Sequence, residues 1–169
     1  MRKWIRGVLS PDAGPFWQFV KYGAVGVAST LVQLAVFLAL ASTCLGCLTP
    51  DDWAVRYLGL RAEVFDGGEP WFASRWFLAA AATAVGFTVA NVFCWLLNRA
   101  IVFRPGRFKW YAEFAVFYGV AAAATAIALV VQSVLIRYFG LMTSAATLIE
   151  VLVSFLLNFF IRKFYIFGG

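Results

Sequence analysis

Long apolar stretches without a charge dominate the chain. No Asp, Glu, Lys or Arg occurs between Lys21 and Asp51, between Arg75 and Arg99, or between Glu113 and Arg137. Between Arg137 and Arg162 there is only Glu150. Each interval exceeds the ~20 apolar residues that carry an α-helix across a bilayer. Hydrocarbon offers the backbone no hydrogen-bond partner, so a spanning segment must bond internally, as a helix does. The pattern predicts an all-α membrane protein of four transmembrane helices, at about residues 22–43, 76–97, 114–135 and 145–161. The first stretch starts late and runs too long for the apolar core of a cleaved signal peptide, so it reads as a retained span.

The segments between are short, with one exception. Residues 1–20 are basic and aromatic, interrupted by Pro11 and Pro15, and read as a cytoplasmic interfacial lead-in to a domain over 21–167. The exception is the loop 44–75 on the opposite side. There Thr49-Pro50-Asp51-Asp52 has the form of a helix start: a Thr cap, Pro at the first position and acids in the first turn. Trp53, Tyr57 and Leu60 follow on one face, which predicts a short helix lying on the outer membrane surface. A two-helix repeat is also visible. Phe19, Thr30, Leu34 and Val36 recur at one constant offset as Phe114, Thr125, Leu129 and Val131. The ends of spans two and four, Asn98-Arg99 to Phe103 and Arg162-Lys163 to Phe167, have similar form. Two such units would run parallel, since each starts and ends on the same side.

Composition supports the membrane reading. Apolar residues make up 63% of the chain and charged residues 13%, with mean hydropathy +0.85; soluble domains carry about a quarter charged residues. The net charge of +6 invites a nucleic-acid reading, but its distribution gives a better explanation. Arg2, Lys3, Arg6 and Lys21 precede span one, Arg99, Arg104, Arg107 and Lys109 lie between spans two and three, and Arg162 and Lys163 follow span four. On the other side Arg56, Arg61, Arg75 and Arg137 are offset by five acids. The positive-inside rule then puts both termini and the middle loop in the cytoplasm, and no nucleic-acid partner is implied. Trp and Tyr near the predicted boundaries suit the headgroup level. Cys44 and Cys47 form a lone CxxC without a second pair or any His, so neither a metal nor a cofactor is expected; a disulfide and a small apolar pair at a helix end both stay open.

Polar residues inside the spans fall in stripes. In span four Thr147, Glu150, Ser154 and Asn158 share a helical face, and in span two Thr88, Asn91, Trp95 and Asn98 do. Span one offers Gly26, Ser29, Thr30 and Gln33, and span three Thr125 and Gln132. Such residues serve as interhelical glue or line a polar groove. Glu150 stands apart, because a carboxylate near the bilayer centre costs about 2.5–3.5 kcal/mol on insertion scales. It must face the interior, pair or be protonated, which makes it a candidate proton carrier; the structural alternative bonds it to Gln33, Asn91 or Gln132. Lys21, Arg99, Arg162 and Lys163 lie at the cytoplasmic span ends, where converging basic groups can grip a phosphate. No nucleophile–His pair, phosphate-cradling glycine loop or carboxylate pair is present, so no catalytic residue is assigned and no enzyme is expected.

Three stretches resemble the GtrA-like family: Gln18-Phe19-Val20-Lys21-Tyr22-Gly23 continuing to Thr30, Leu97-Asn98-Arg99-Ala100-Ile101-Val102-Phe103, and Asn158-Phe159-Phe160-Ile161-Arg162-Lys163 continuing to Phe167. The resemblance covers roughly 16–167, and the long loop 44–75 departs from it. It implies a small multi-pass protein of the prokaryotic cytoplasmic membrane, acting in cell-surface polysaccharide synthesis. It further implies flipping of a polyprenyl-phosphate-linked monosaccharide. On that reading Lys21, Arg99, Arg162 and Lys163 hold the lipid phosphate. Asn91, Asn98, Glu150, Ser154 and Asn158 line the sugar's path, and a chain this small works as a homodimer. Two other readings stand beside it: a non-transporting accessory protein that anchors or recruits a membrane glycosyltransferase, and a small proton-coupled exporter using Glu150.

Overall fold

The computed structural model describes residues 15–102 and 109–161, with some side chains near the ends of these stretches outside the description. Every regular element among them is helical. The long helices are α1 (Pro15–Ser42), α3 (Arg75–Leu97), α4 (Trp110–Phe139) and α5 (Thr143–Ile161). The short α2 (Trp53–Leu58) and a 3₁₀ turn (Trp71–Ala73) lie in the loop. Three stretches are long and apolar enough to cross a bilayer, namely Gly23–Ser42, Arg75–Ile101 and Trp110–Phe139. Thr143–Leu157 is a shorter apolar helix. The helices start or end beyond the predicted limits at several points. α1 opens at Pro15, so residues 15–20 belong to this helix rather than to a separate lead-in, because a first-turn Pro gives up an N–H that has no helical partner anyway. Residues 1–14 lie outside the described set.

Helix α1 packs along α3, α3 along α4 and α4 along α5. Small residues make this close. Ala79, Ala82, Gly86 and Ala90 form a buried stripe on α3, and Ala121, Ala124 and Ala128 one on α4. A Cβ on Gly86 would lie 2.9 Å from the Gln33 carbonyl oxygen, so the α1–α3 approach requires glycine there. The outside is apolar and exposed: Val27 and Leu31 on α1, Val116 and Val130 on α4, Leu152 and Phe155 on α5. A continuous apolar girdle of this kind faces lipid, not water.

The apolar core gathers at one end, where Phe37, Ala41, Ala79, Ala82, Ile136 and Ala146 meet Cys47 and Leu48 of the loop. This loop end is stitched by polar contacts. Thr143 Oγ1 donates to the Cys47 carbonyl at 2.7 Å, and the Glu63 amide to that of Leu48 at 2.8 Å. Asp52 is fully buried and accepts from the Ala54 amide at 3.1 Å, the Ser144 amide at 2.9 Å and the Ser144 hydroxyl. It therefore caps α2 and α5 together. This corrects the expected Thr49 cap: Thr49 instead closes a turn, accepting the Asp52 amide. The expected membrane-facing stripe also changes. Val55 and Leu60 pack on the core, while Tyr57 points away, 84% exposed. The loop folds over the helix ends because Asp52 and Cys47 tether it there. All three cysteines are free. Burial pushes the Cys47 thiol up to about 12, whereas Cys44 is exposed. The two-helix repeat cannot be followed at its second closing motif, since residues 162–167 lie outside the described set.

Candidate functional site

The bundle's interior becomes polar away from the loop end. Gln132, fully buried on α4, donates from Nε2 to Thr83 Oγ1 of α3 at 2.9 Å and to Thr147 Oγ1 of α5 at 2.8 Å. Next along α5, Glu150 Oε2 accepts from Gln33 Nε2 of α1 at 3.2 Å. Of the three partners expected for this carboxyl, the structure selects Gln33. Further along, the hydroxyls of Thr125 and Ser154 meet at 3.1 Å. Then come buried Asn91 on the far half of α3 and Asn98 just past its end. Of the predicted stripes, Asn91, Trp95 and Asn98, then Thr125 and Gln132, then Thr147, Glu150 and Ser154 turn inward, wholly or in part. The stripe on α1 does so only in part: Ser29 and Thr30 bond back to the Val25 and Gly26 carbonyls, leaving Gln33 to reach across. Thr88 turns outward to the Tyr118 hydroxyl.

This interior is not self-sufficient. Glu150 Oε1, Gln132 Oε1, Asn91 Nδ2, Asn98 Oδ1 and Trp95 Nε1 are buried without a hydrogen-bond partner. A buried polar atom left unpaired costs about 1–3 kcal/mol. The set offers acceptors and donors from three helices, which is the equipment needed to bind a polyhydroxylated group. Among the described residues no cluster of three metal-ligating His, Cys, Asp or Glu side chains occurs.

At the end opposite the loop, α3 runs into a π-helical turn, Asn98–Val102. One added residue per turn redirects backbone carbonyls there. Lys21, 7% exposed, donates from Nζ to the Ile101 carbonyl at 3.0 Å. Arg99 pairs through Nη1 with Glu113 Oε2 at 3.0 Å and lies 5.6 Å from the Trp95 ring centre. The structure thus brings Lys21 and Arg99 to one junction of α1 with the π turn, but with partners that charge counting did not supply. Sequence reasoning missed Glu113 as the Arg99 partner, Thr83 as part of the interior, and Asp52 as a buried tether. Glu113 was legible as the one acid between Arg99 and the start of the third apolar stretch. Arg162 and Lys163, and the side chain of Asn158, lie outside the described residues.

A model of the GtrA/DPMS transmembrane domain matches residues 70–167, more than half of the chain. The chain belongs to the GtrA/DPMS transmembrane domain family. Membership sets its function in the membrane handling of lipid-linked sugars. The matched GtrA/DPMS span contains α3, the π turn, α4 and α5, and so Asn91, Asn98, Arg99, Gln132 and Glu150. Helix α1 with Lys21 and Gln33, and most of the loop, precede it. Neither a curated protein nor a solved structure matches the chain.

Proposed function

We propose that this protein flips a polyprenyl-phosphate-linked monosaccharide across the cytoplasmic membrane of a prokaryote. The observation that carries this reading is the set of unpartnered buried polar atoms around Glu150 and Gln132, inside a bundle whose outside is apolar. Sugar hydroxyls are both donors and acceptors and fit such a lining, while the prenyl chain stays in lipid. Four transmembrane helices run in-out-out-in as two hairpins, with both termini and the 103–108 connection cytoplasmic by the positive-inside rule. Lys21 and Arg99, with Arg162 and Lys163, receive the lipid phosphate. Asn98, Asn91, Ser154 and Glu150, with Asn158, mark the sugar's route. A phosphate entering at Arg99 competes with Glu113 for the guanidinium, so binding and release of Glu113 accompany each other. The protein performs no covalent chemistry in this scheme, and a homodimer supplies the second wall of the route.

The reading is tested with purified protein in liposomes carrying a polyprenyl-phosphate hexose, following exposure of the sugar to a membrane-impermeant oxidant. Protein-dependent exposure is expected, reduced at least tenfold in Arg99→Ala. Exposure no faster than in protein-free liposomes, with folded protein in the membrane, overturns it.

The Arg99–Glu113 pair and the Gln132 bonds favour a second reading, an accessory protein that recruits a membrane glycosyltransferase. In that case the polar residues hold helices together and Glu150→Gln leaves function intact. Stoichiometric recovery of a transferase on affinity purification, without flipping, is its signature.

A further inference from the structure

A second candidate ligand site lies at the loop end, away from the polar interior. The loop, the start of α3 and the end of α4 line a half-open cavity of about 810 Å³, within the usual range of small-molecule sites. Acids line part of it, but they are engaged. Asp51 pairs with Arg56 at 3.1 Å, Glu63 with Arg61 at 2.7 Å, and Glu69 accepts the Asp66 and Gly67 amides at 2.7 and 3.1 Å. The basic groups on the helix side of the cavity, Arg75 and Arg137, are in none of the ion pairs among the described residues. Arg75 donates from Nη2 to the Ile136 carbonyl at 3.3 Å, which leaves other donors of its fork. Arg137 lies over the Trp76 and Tyr138 rings, 5.4 and 5.5 Å from their centres.

A second, smaller depression of about 360 Å³ adjoins it along α4, lined by Leu129, Val130, Ser133 and Val134. Trp76 and Arg137 belong to both. Val130 is 64% exposed, on the girdle that faces hydrocarbon. A polar cavity and an apolar groove thus meet at Trp76 and Arg137, with Arg75 on the cavity side and neither arginine in an ion pair among the described residues. Few ligands other than an amphiphile with an anion at its head–tail junction match that sequence of surfaces. Trp71, whose ring stands edge-on to Phe77 at 5.1 Å, adds an aromatic wall of the kind on which a sugar ring stacks.

We infer that this end binds a phosphate-bearing lipid, its phosphate between Arg75 and Arg137, its sugar in the cavity and its isoprenoid chain in the α4 groove. The choice of a sugar-bearing lipid over an ordinary anionic phospholipid rests on the proposed function; the phosphate chemistry is common to both. In the flipping scheme the site receives the headgroup on arrival at the outer leaflet.

The test uses the full chain in phosphatidylcholine nanodiscs with a polyprenyl-phosphate hexose carrying a photoreactive group in its first isoprene units. Cross-linked peptides are mapped by mass spectrometry. Labelling is expected within residues 129–134, falling at least tenfold in Arg137→Gln and in Trp76→Leu and recovering in Arg137→Lys. Arg137 is exposed, so its variants keep the fold, and matching thermal unfolding verifies that. An excess of phosphatidylglycerol is expected to leave the labelling in place. Absence of label in 129–134, or label undiminished in both variants, overturns the site. Displacement by phosphatidylglycerol as effective as by unlabelled probe overturns the glycolipid assignment. Labelling in protein that moves no lipid supports this site and counts against transport; transport without that labelling counts against this site alone.

Discussion

Gln132 shows what one residue can reveal and what it conceals. Its position in an apolar span marked it as notable, and its spacing from Thr125 placed it on one face. Its partners, Thr83 and Thr147, sit on other helices, and the rotation of those helices is set by packing that no local pattern encodes. The same holds for Glu150: the sequence offered three partners, and the register of α1 against α5 chose Gln33. Arg99, expected in a phosphate-gripping cluster, is paired to Glu113, fourteen residues on, a partner that a count of basic residues by side does not supply. Replacing Gln132 by Leu separates glue from groove. The lost bonds to the two threonines should cost about 1 kcal/mol, measured by unfolding in mixed micelles. The variant also removes an unpartnered acceptor from the interior, so the stability loss does not exceed that figure while flipping falls at least tenfold. A stability loss with unimpaired flipping would assign Gln132 to packing alone.

At the scale of elements, the long helices were legible because charge-free intervals and backbone satisfaction leave few alternatives. The loop was less so. Thr49-Pro50 has the local form of a helix start, yet Asp52 prevails because its carboxylate serves α2 and α5 at once. The π turn at Asn98–Val102 carries no periodicity signal at all. Two tests follow. In Asp52→Ala the tether opens, and Cys47 becomes reactive to maleimide at pH 8. In the wild type only exposed Cys44 reacts there, since burial pushes the Cys47 thiol up to about 12 and so keeps it protonated well above that pH. Equal labelling of Cys47 in both proteins contradicts the tether. Gly86→Ala places a methyl 2.9 Å from the Gln33 carbonyl oxygen; the helices must separate, costing about 1–3 kcal/mol. Unchanged unfolding would mean that α1 does not approach α3 as described.

The whole molecule has an apolar core at one end, a polar interior beyond it and arginines at both ends. The charge-free intervals made the apolar helices legible, and the proposed sidedness rests on the charge asymmetry of the segments between them. The loop-end cavity was less legible, although Arg75-Trp76 and Arg137-Tyr138 were its trace: each sets a cation beside a ring at the loop end of neighbouring helices. Sidedness is checked in intact cells, where an impermeant maleimide should label native Cys44 and reach Lys109→Cys only after permeabilisation. The reverse pattern inverts the scheme. The central claim, that the polar interior passes a lipid-linked sugar, is tested most directly by the initial rate of headgroup exposure in proteoliposomes, wild type against Glu150→Gln. Protein-dependent exposure is expected in the wild type and at least a tenfold slower rate in the variant, with insertion and unfolding unchanged. Equal rates in the two would contradict that claim.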